Sequence, residues 1–382
     1  MKKVLLITDN YCLEEVDGRF YHRCLDDHIR AYGILGSVTL CVPIRHTISI
    51  NRPVDMTDVR VVEIWKENNI YRRFINRRDN KKIIAEEVKK ADIIVGFIPS
   101  SVSDLAARYA KKYKKTFLAV VIASAWDILW NHSLKGKFMA PISHFSTRRT
   151  IRDAEYSIYV TEQYLQNKYP TKGISSAISD VVINPLEKQV LENRVQKIRS
   201  KQSNKVLSIL SIGAVDVKYK GQEEVIEAIS VLSYKGYNID YYLIGSGDKK
   251  RLYKIANKLG VADKVHFIGG LPHEDVFSYF KAIDIYIQPS RTEGLPRAVV
   301  EAMSYAVPVI CSNIGGMPEL VEKDCLYKSG DIQDLCLKIL RMSESSDTMI
   351  RKAKYNFTKA AAFQEDSLYA KRKEFIINIQ KQ

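Results

Sequence analysis

The chain has 382 residues, 46% of them hydrophobic, and a formal net charge of +15. That length suits two domains, each able to bury its own core. The absence of tandem repeats and low-complexity tracts excludes solenoid, fibrous and disordered classes. The longest apolar run, Thr116 to Trp126, has strand length and falls well short of a membrane span, and the run after Met1-Lys-Lys is too short for a signal peptide. The six cysteines, Cys12, Cys24, Cys41, Cys311, Cys325 and Cys336, have no metal-type spacing and read as reduced core thiols. The expected setting is cytoplasmic, either soluble or peripheral on the inner membrane face.

In chain order, Lys3 to Thr8, Val38 to Pro43 and Asp92 to Phe97 read as buried strands. Ser101 to Tyr113 predicts a helix with Ser101 or Ser103 near its start, and Thr116 to Ile122 the next strand. Tyr156 to Val160 predicts a strand, and Glu162 to Lys168 a helix stopped by Pro170. The charged, weakly patterned stretch from Leu186 to Asn204 predicts a linker. A second alternating series follows, with strands at 206–212, 239–244, 264–268, 284–288 and 307–311. Helices are expected at 222–233, 249–259 and 274–281, with an amphipathic one near 369–379. Such alternation predicts an α/β chain of two doubly wound parallel sheets. The implied domains are 1–185 and 186–364, with residues 365–382 left as a final helix.

Charge is uneven along this order. Between Ser101 and Thr150 nine basic residues face only Asp104 and Asp127, a local net of +7. Nucleic acid, an anionic membrane and a diphosphate-bearing lipid would each be attracted. No nucleic-acid motif accompanies the cluster and the 22 tyrosines are scattered, so nucleic acid is not the expected partner, while an anionic inner membrane face and a merely solvated basic surface both stay open.

The most informative segment is Ser290-Arg-Thr-Glu293-Gly294-Leu295-Pro296-Arg297-Ala298-Val-Val-Glu301. Two carboxylates are separated by seven residues. The first lies in a Gly/Pro loop after a strand and the second inside the helix that the loop opens. A loop at a strand's carboxyl end, facing a helix N-terminus, makes an anion site. Gly315-Gly316-Met-Pro-Glu319 follows the next strand.

Together these segments resemble the retaining GT-B glycosyltransferases, group 1 (glycosyltransferase family 4), and the stretch Ser124 to Lys137 resembles the subset of them that builds bacterial capsule and other surface polysaccharides. The resemblance implies two Rossmann-like domains facing across a cleft, with the last helix crossing back to the N-terminal domain. It implies that Glu293 contacts the donor sugar and Glu301 holds the ribose hydroxyls. Backbone from Gly294 to Ala298 (through Leu295, Pro296 and Arg297) and the Gly315-Gly316 turn would surround sugar and diphosphate. Gly270 and Leu271 would meet the nucleobase, and Lys220 in Gly213-Ala-Val-Asp-Val-Lys-Tyr-Lys-Gly221 would neutralise the diphosphate. The family's Arg after the first Gly of that loop is Ala214 here, so Lys218 or Arg297 would have to replace its charge.

In the N-terminal half only Gly18 is available in the first loop to let backbone approach the diphosphate. Ser124 to Lys137 packs Trp126, Asp127, Trp130 and His132 into what reads as a short loop. Asp127 or His132 is the candidate to bond the sugar or steer the acceptor, against the alternative of core tryptophans and a satisfied histidine. His144 and His273 are weaker candidates. No Asp-x-Asp pair is present to hold a metal, and the resemblance implies none: the expected ligands are a nucleotide diphosphate sugar and a lipid-linked or oligosaccharide acceptor, with no cofactor. A sugar-nucleotide epimerase and a catalytically silent GT-B scaffold are the competing readings, the second kept open by Ala214.

Overall fold

The computed structural model describes residues 1–22, 25–46, 53–64, 77–201 and 206–380. The chain divides into two compact units. The first holds Met1–Trp130, Leu134–Asp180 and Tyr369–Gln382, and the second Asn131–Ser133 and Val181–Leu368. Chain order and parallel pairing in both fit the expected α/β, Rossmann-like GT-B class.

In the first unit the strands are β1 (Lys3–Ile7), β2 (Leu13–Val16), β3 (Arg19–Tyr21), β4 (Ser37–Val42), β5 (Ile44–His46), β6 (Arg60–Glu63), β7 (Ile93–Ile98), β8 (Thr116–Val121), β9 (Tyr156–Tyr159) and β10 (Ile174–Ala177). Seven form one sheet in the order β10-β9-β8-β7-β1-β4-β6, and β3-β2-β5 form a small second one. All pairings in the seven-stranded sheet are parallel. Its central strands are covered on both faces, so they read as unbroken apolar runs: Val4 to Ile7 and Ile93 to Ile98 are buried throughout. Among the described residues the helices here are α1 (Leu25–Gly33), α2 (Arg77–Lys90), α3 (Ser101–Tyr113), α4 (Ala125–His132), α5 (Leu134–Asp153) and α6 (Tyr164–Lys168). Ser100, one residue before the expected position, caps α3 by accepting from the Ser103 N–H at 3.0 Å.

The second unit carries β11 (Leu207–Ile212), β12 (Ile239–Ile244), β13 (Val265–Gly269), β14 (Ile285–Gln288), β15 (Val309–Ser312) and β16 (Leu326–Tyr327). They form a parallel sheet ordered β13-β12-β11-β14-β15-β16. Its helices are α7 (Lys188–Ser200), α8 (Gln222–Tyr234), α9 (Lys250–Lys258), α10 (His273–Ala282), α11 (Arg297–Ser304), α12 (Ile332–Ser343) and α13 (Ser346–Ala360). The final helix, α14 (Glu365–Gln380), runs from the second unit into the first. There Arg372 donates to the Ser179 carbonyl at 3.2 Å and Phe375 meets Tyr156 edge-on.

Two expectations need correction. Most of the stretch expected as a linker is helical: residues 188–200 form α7, 202–204 lie outside the described residues, and the division between units falls after Asp180. Its charges have structural work. Arg194, buried, donates to the Ile283 carbonyl at 2.6 Å and to the Phe280 carbonyl, at the C-terminal end of α10. Lys197 reaches the Ile283 carbonyl at 2.8 Å. Cations there meet unsatisfied carbonyls and the negative end of the helix dipole. Burial pulls the Arg194 guanidinium down to about 10 and the Lys197 ammonium down to about 8. Asp284 balances them, paired with Lys201 at 2.5 Å and Lys197 at 3.5 Å. The second correction concerns 125–132, expected as a loop, which is the helix α4.

Candidate active site

In the second sheet, chain order reverses between β11 and β14, whose neighbours run outward in opposite directions. At such a switch point the loops leaving the carboxyl ends diverge, and the crevice between them is where ligands bind in open α/β sheets. Here those loops are 213–221 after β11 and 289–296 after β14. Lys220 Nζ lies 2.7 Å from Glu293 Oε1, joining one loop to the other. Gln288, at the end of β14, donates to the same oxygen at 3.2 Å. The expected cation and the expected sugar carboxylate therefore stand together, both partly buried.

Backbone contact holds the loops at this spacing. A Cβ on Gly221 would lie 2.0 Å from the Pro289 carbonyl oxygen, so no other residue permits the approach. The Arg291 N–H donates to the Tyr219 carbonyl at 2.7 Å, and its guanidinium bridges Glu223 and Glu224, each at 3.0 Å. Those two carboxylates outweigh burial and raise the Arg291 pKa. Glu224 is buried and also accepts from Tyr327 at 2.9 Å and from the Gly330 N–H at 3.1 Å.

On the other side, Gly315 has φ +63°, and a Cβ there would sit 2.1 Å from the Glu293 carbonyl oxygen. The Gly316 N–H donates to the Gly294 carbonyl at 2.8 Å. The Gly-Gly turn thus packs directly on the Glu293 loop. Gly294, Leu295, Arg297 and Ala298 are partly buried at the opening of α11, and Pro296 is buried one position before its first helical residue. Glu301 faces inward from α11, with a side chain 6% exposed, and its carboxylate is 2.8 Å from His273 Nε2 at the start of α10. Gly270 and Leu271 follow β13, and Gly270 lies beside Ser246.

Not every expected residue joins this group. Lys218 is exposed on the 3-10 turn whose end carries Lys220. Ala214 brings no charge, and Gln222 donates to its carbonyl at 3.2 Å. Gly18 occupies the turn of the β2–β3 hairpin, exposed to solvent. Asp127 pairs with Lys168 at 2.6 Å and accepts from Tyr164. Burial, with the Asp127 carboxylate beside it, pushes the Tyr164 hydroxyl well up. His132 closes α4, and its side chain lies outside the described ones. Nearby, Trp126 and Trp130 stack at 5.1 Å, and His144 Nδ1 is 3.1 Å from the Tyr169 hydroxyl. Burial first, then Lys168 and Arg148, lowers the His144 pKa. Sequence reasoning missed Gln288, Arg291 and Glu224 and ranked His273 low. No short spacing links 273 to 301 or 224 to 291, so only the fold could pair them.

Residues 192–360 match the family model described as glycosyl transferases group 1. The chain is 32% identical over 297 residues to protein CapJ of Staphylococcus aureus, covering 77% of this chain and 73% of CapJ. It belongs to the group 1 glycosyltransferases. A second relative is the amylovoran biosynthesis glycosyltransferase AmsK of Erwinia amylovora, 35% identical over 154 residues, which span 38% of each chain. The fold is shared with the crystal structure of Anabaena HepE in complex with UDP, at a TM-score of 0.70, 15% identity and full coverage of both chains. As a group 1 glycosyltransferase, the chain is an enzyme whose family match contains the whole switch-point site.

Proposed function

We propose that this enzyme is a retaining, metal-independent transferase of bacterial surface polysaccharide synthesis. It moves a sugar from a nucleotide diphosphate to a hydroxyl of a lipid-linked glycan, in the cytoplasm at the inner membrane face. The observation that carries the reading is the Lys220–Glu293 pair across the switch-point loops, 2.7 Å apart. In this reading the donor diphosphate takes over the Lys220 ammonium, and Glu293, released from it, accepts from the sugar hydroxyls. As the bond from the anomeric carbon to the diphosphate breaks, Lys220 and the amide groups opening α11 stabilise the growing negative charge. Glu301, oriented by His273, accepts from the ribose hydroxyls. Lys220 is the assigned cation. Lys218 and Arg297 are the candidates to supply what Ala214 does not.

The names of the relatives support the setting: AmsK is an amylovoran biosynthesis glycosyltransferase, and the HepE structure holds UDP. The test is a thermal-shift screen with uridine, guanosine and adenosine diphosphate sugars, followed by transfer to lipid-linked acceptors. One donor class at about 100 times its Kd should stabilise the fold by about 2.7 kcal/mol. No stabilisation by any nucleotide sugar would sink the reading. Turnover of donor without acceptor, yielding an isomer, would replace it with epimerisation.

A further inference from the structure

Helix α5 wears its side chains inside out. Its buried positions are Gly136, Ala140, Thr147 and Ile151, three of them small. Outward stand Leu134, Phe138, Ile142 and Phe145, exposed by 76%, 82%, 63% and 67%. At about 3.6 residues per turn these four fall on one stripe, roughly 80° wide. The same arithmetic continues that stripe into Arg149 and Arg152, and places Lys135 on one flank and Arg148 on the other. The helix's one acid, Asp153, is already paired with Arg152 at 3.0 Å and with Lys111 of α3 at 3.4 Å. A contiguous apolar stripe of large side chains on a surface marks a contact site.

We infer that α5 is a membrane-docking helix that lies in the interface of an anionic bilayer, with Phe138, Ile142 and Phe145 inserted among the acyl chains and its Lys and Arg residues at the lipid phosphates. The inference rests on the proposed reading that the acceptor is held at a membrane, and it names the element that brings the enzyme there. An apolar stripe flanked by basic residues is the composition of an interfacial helix. Among the described residues no helix is long and apolar enough to cross a membrane. Charge decides the occupant. A second copy docked through the same face would set these four basic residues against four like ones. A nucleic acid would leave four large apolar side chains unburied against phosphates.

The test uses the full chain and vesicles of equal parts phosphatidylglycerol and phosphatidylcholine. The wild type should co-sediment with them and retain part of its binding at high salt, because insertion is not screened as surface charge is. Phe138→Ser with Phe145→Ser replaces two exposed side chains, so melting should be unchanged while vesicle affinity falls about tenfold or more. Lys135→Glu with Arg149→Glu should erase the preference for anionic over pure phosphatidylcholine vesicles. In all of these proteins the nucleotide-sugar thermal shift should persist, which separates failure here from failure of the transferase reading. Vesicle binding undiminished in the serine variant overturns the inference. So does a wild type that ignores vesicles, one that forms a dimer the serine variant abolishes, or one that binds duplex DNA through this face instead.

Discussion

The two units solve the problem of positioning chemistry in different ways. In the second, the switch-point loops touch backbone to backbone at Gly221–Pro289 and Gly316–Gly294, and Lys220 and Glu293 meet because their loops have little freedom. In the first, the polar group around Asp127 is assembled through side chains reaching in from separate helices: Tyr164 and Lys168 from α6, and near it His144 from α5 against Tyr169. Backbone contact between loops demands glycine at fixed places and leaves a local signature. Side-chain assembly from separate helices leaves none.

That contrast can be broken by mutation. The largest effect is expected for Glu293→Ala, which should cut transfer by about a thousandfold while nucleotide diphosphate affinity stays within a few-fold, checked by kcat and by calorimetry; equal kcat would remove Glu293 from the reaction. Lys220→Ala follows, with kcat down about a hundredfold, of the order of removing one donor to a developing oxyanion.

The anchor of α7 is next. Asp284→Ala should lower unfolding stability by about 3 kcal/mol, since it strands buried cations without a counter-charge. Lys197→Met should be neutral or stabilising, since burial already disfavours that ammonium. The pH dependence follows from the same pair. Asp284 has its pKa lowered: burial opposes its charge, but Lys201, the Ser208 N–H and Lys197 together outweigh burial. Its contribution is therefore present above the ordinary carboxylate value and lost as pH falls through its depressed one. Lys197 titrates near 8 when folded against 10.5 otherwise, so the fold binds fewer protons than the open chain between those values. Its contribution to stability rises with pH across that window, and denaturant melts at several pH values would show both slopes.

Smaller again is His273→Ala, which removes the partner of the inward-facing Glu301. It should raise the donor KM about tenfold with kcat little changed, about 1.4 kcal/mol of ground-state binding. Smallest is Asp127→Asn, expected to change donor affinity less than threefold; a loss comparable to Glu293→Ala would make the first unit's polar group an equal partner in the reaction.

Much of this was legible in the chain. The parallel strands announce themselves as apolar runs because both sheet faces are covered, and Glu293, Gly315 and Lys220 sit in segments where a few consecutive residues dictate the loop. The misread stretches share a cause. In α7 the charges of Arg194 and Lys197 suggested solvent because nothing local reveals that they meet the carbonyl end of α10, more than eighty residues away in sequence. In α4 the polar and aromatic mixture from Trp126 to His132 hides a helix.

By itself the sequence determined the alternation of elements, the α/β class and the family, because periodicity and loop glycines act over a few residues. Tertiary structure decided which charges are buried, that Lys220 lies against Glu293 and His273 against Glu301, and that α5 turns its large apolar side chains outward. Those facts depend on what lies across the fold from each residue, and hydrogen bonds and desolvation act through space, whatever the separation along the chain.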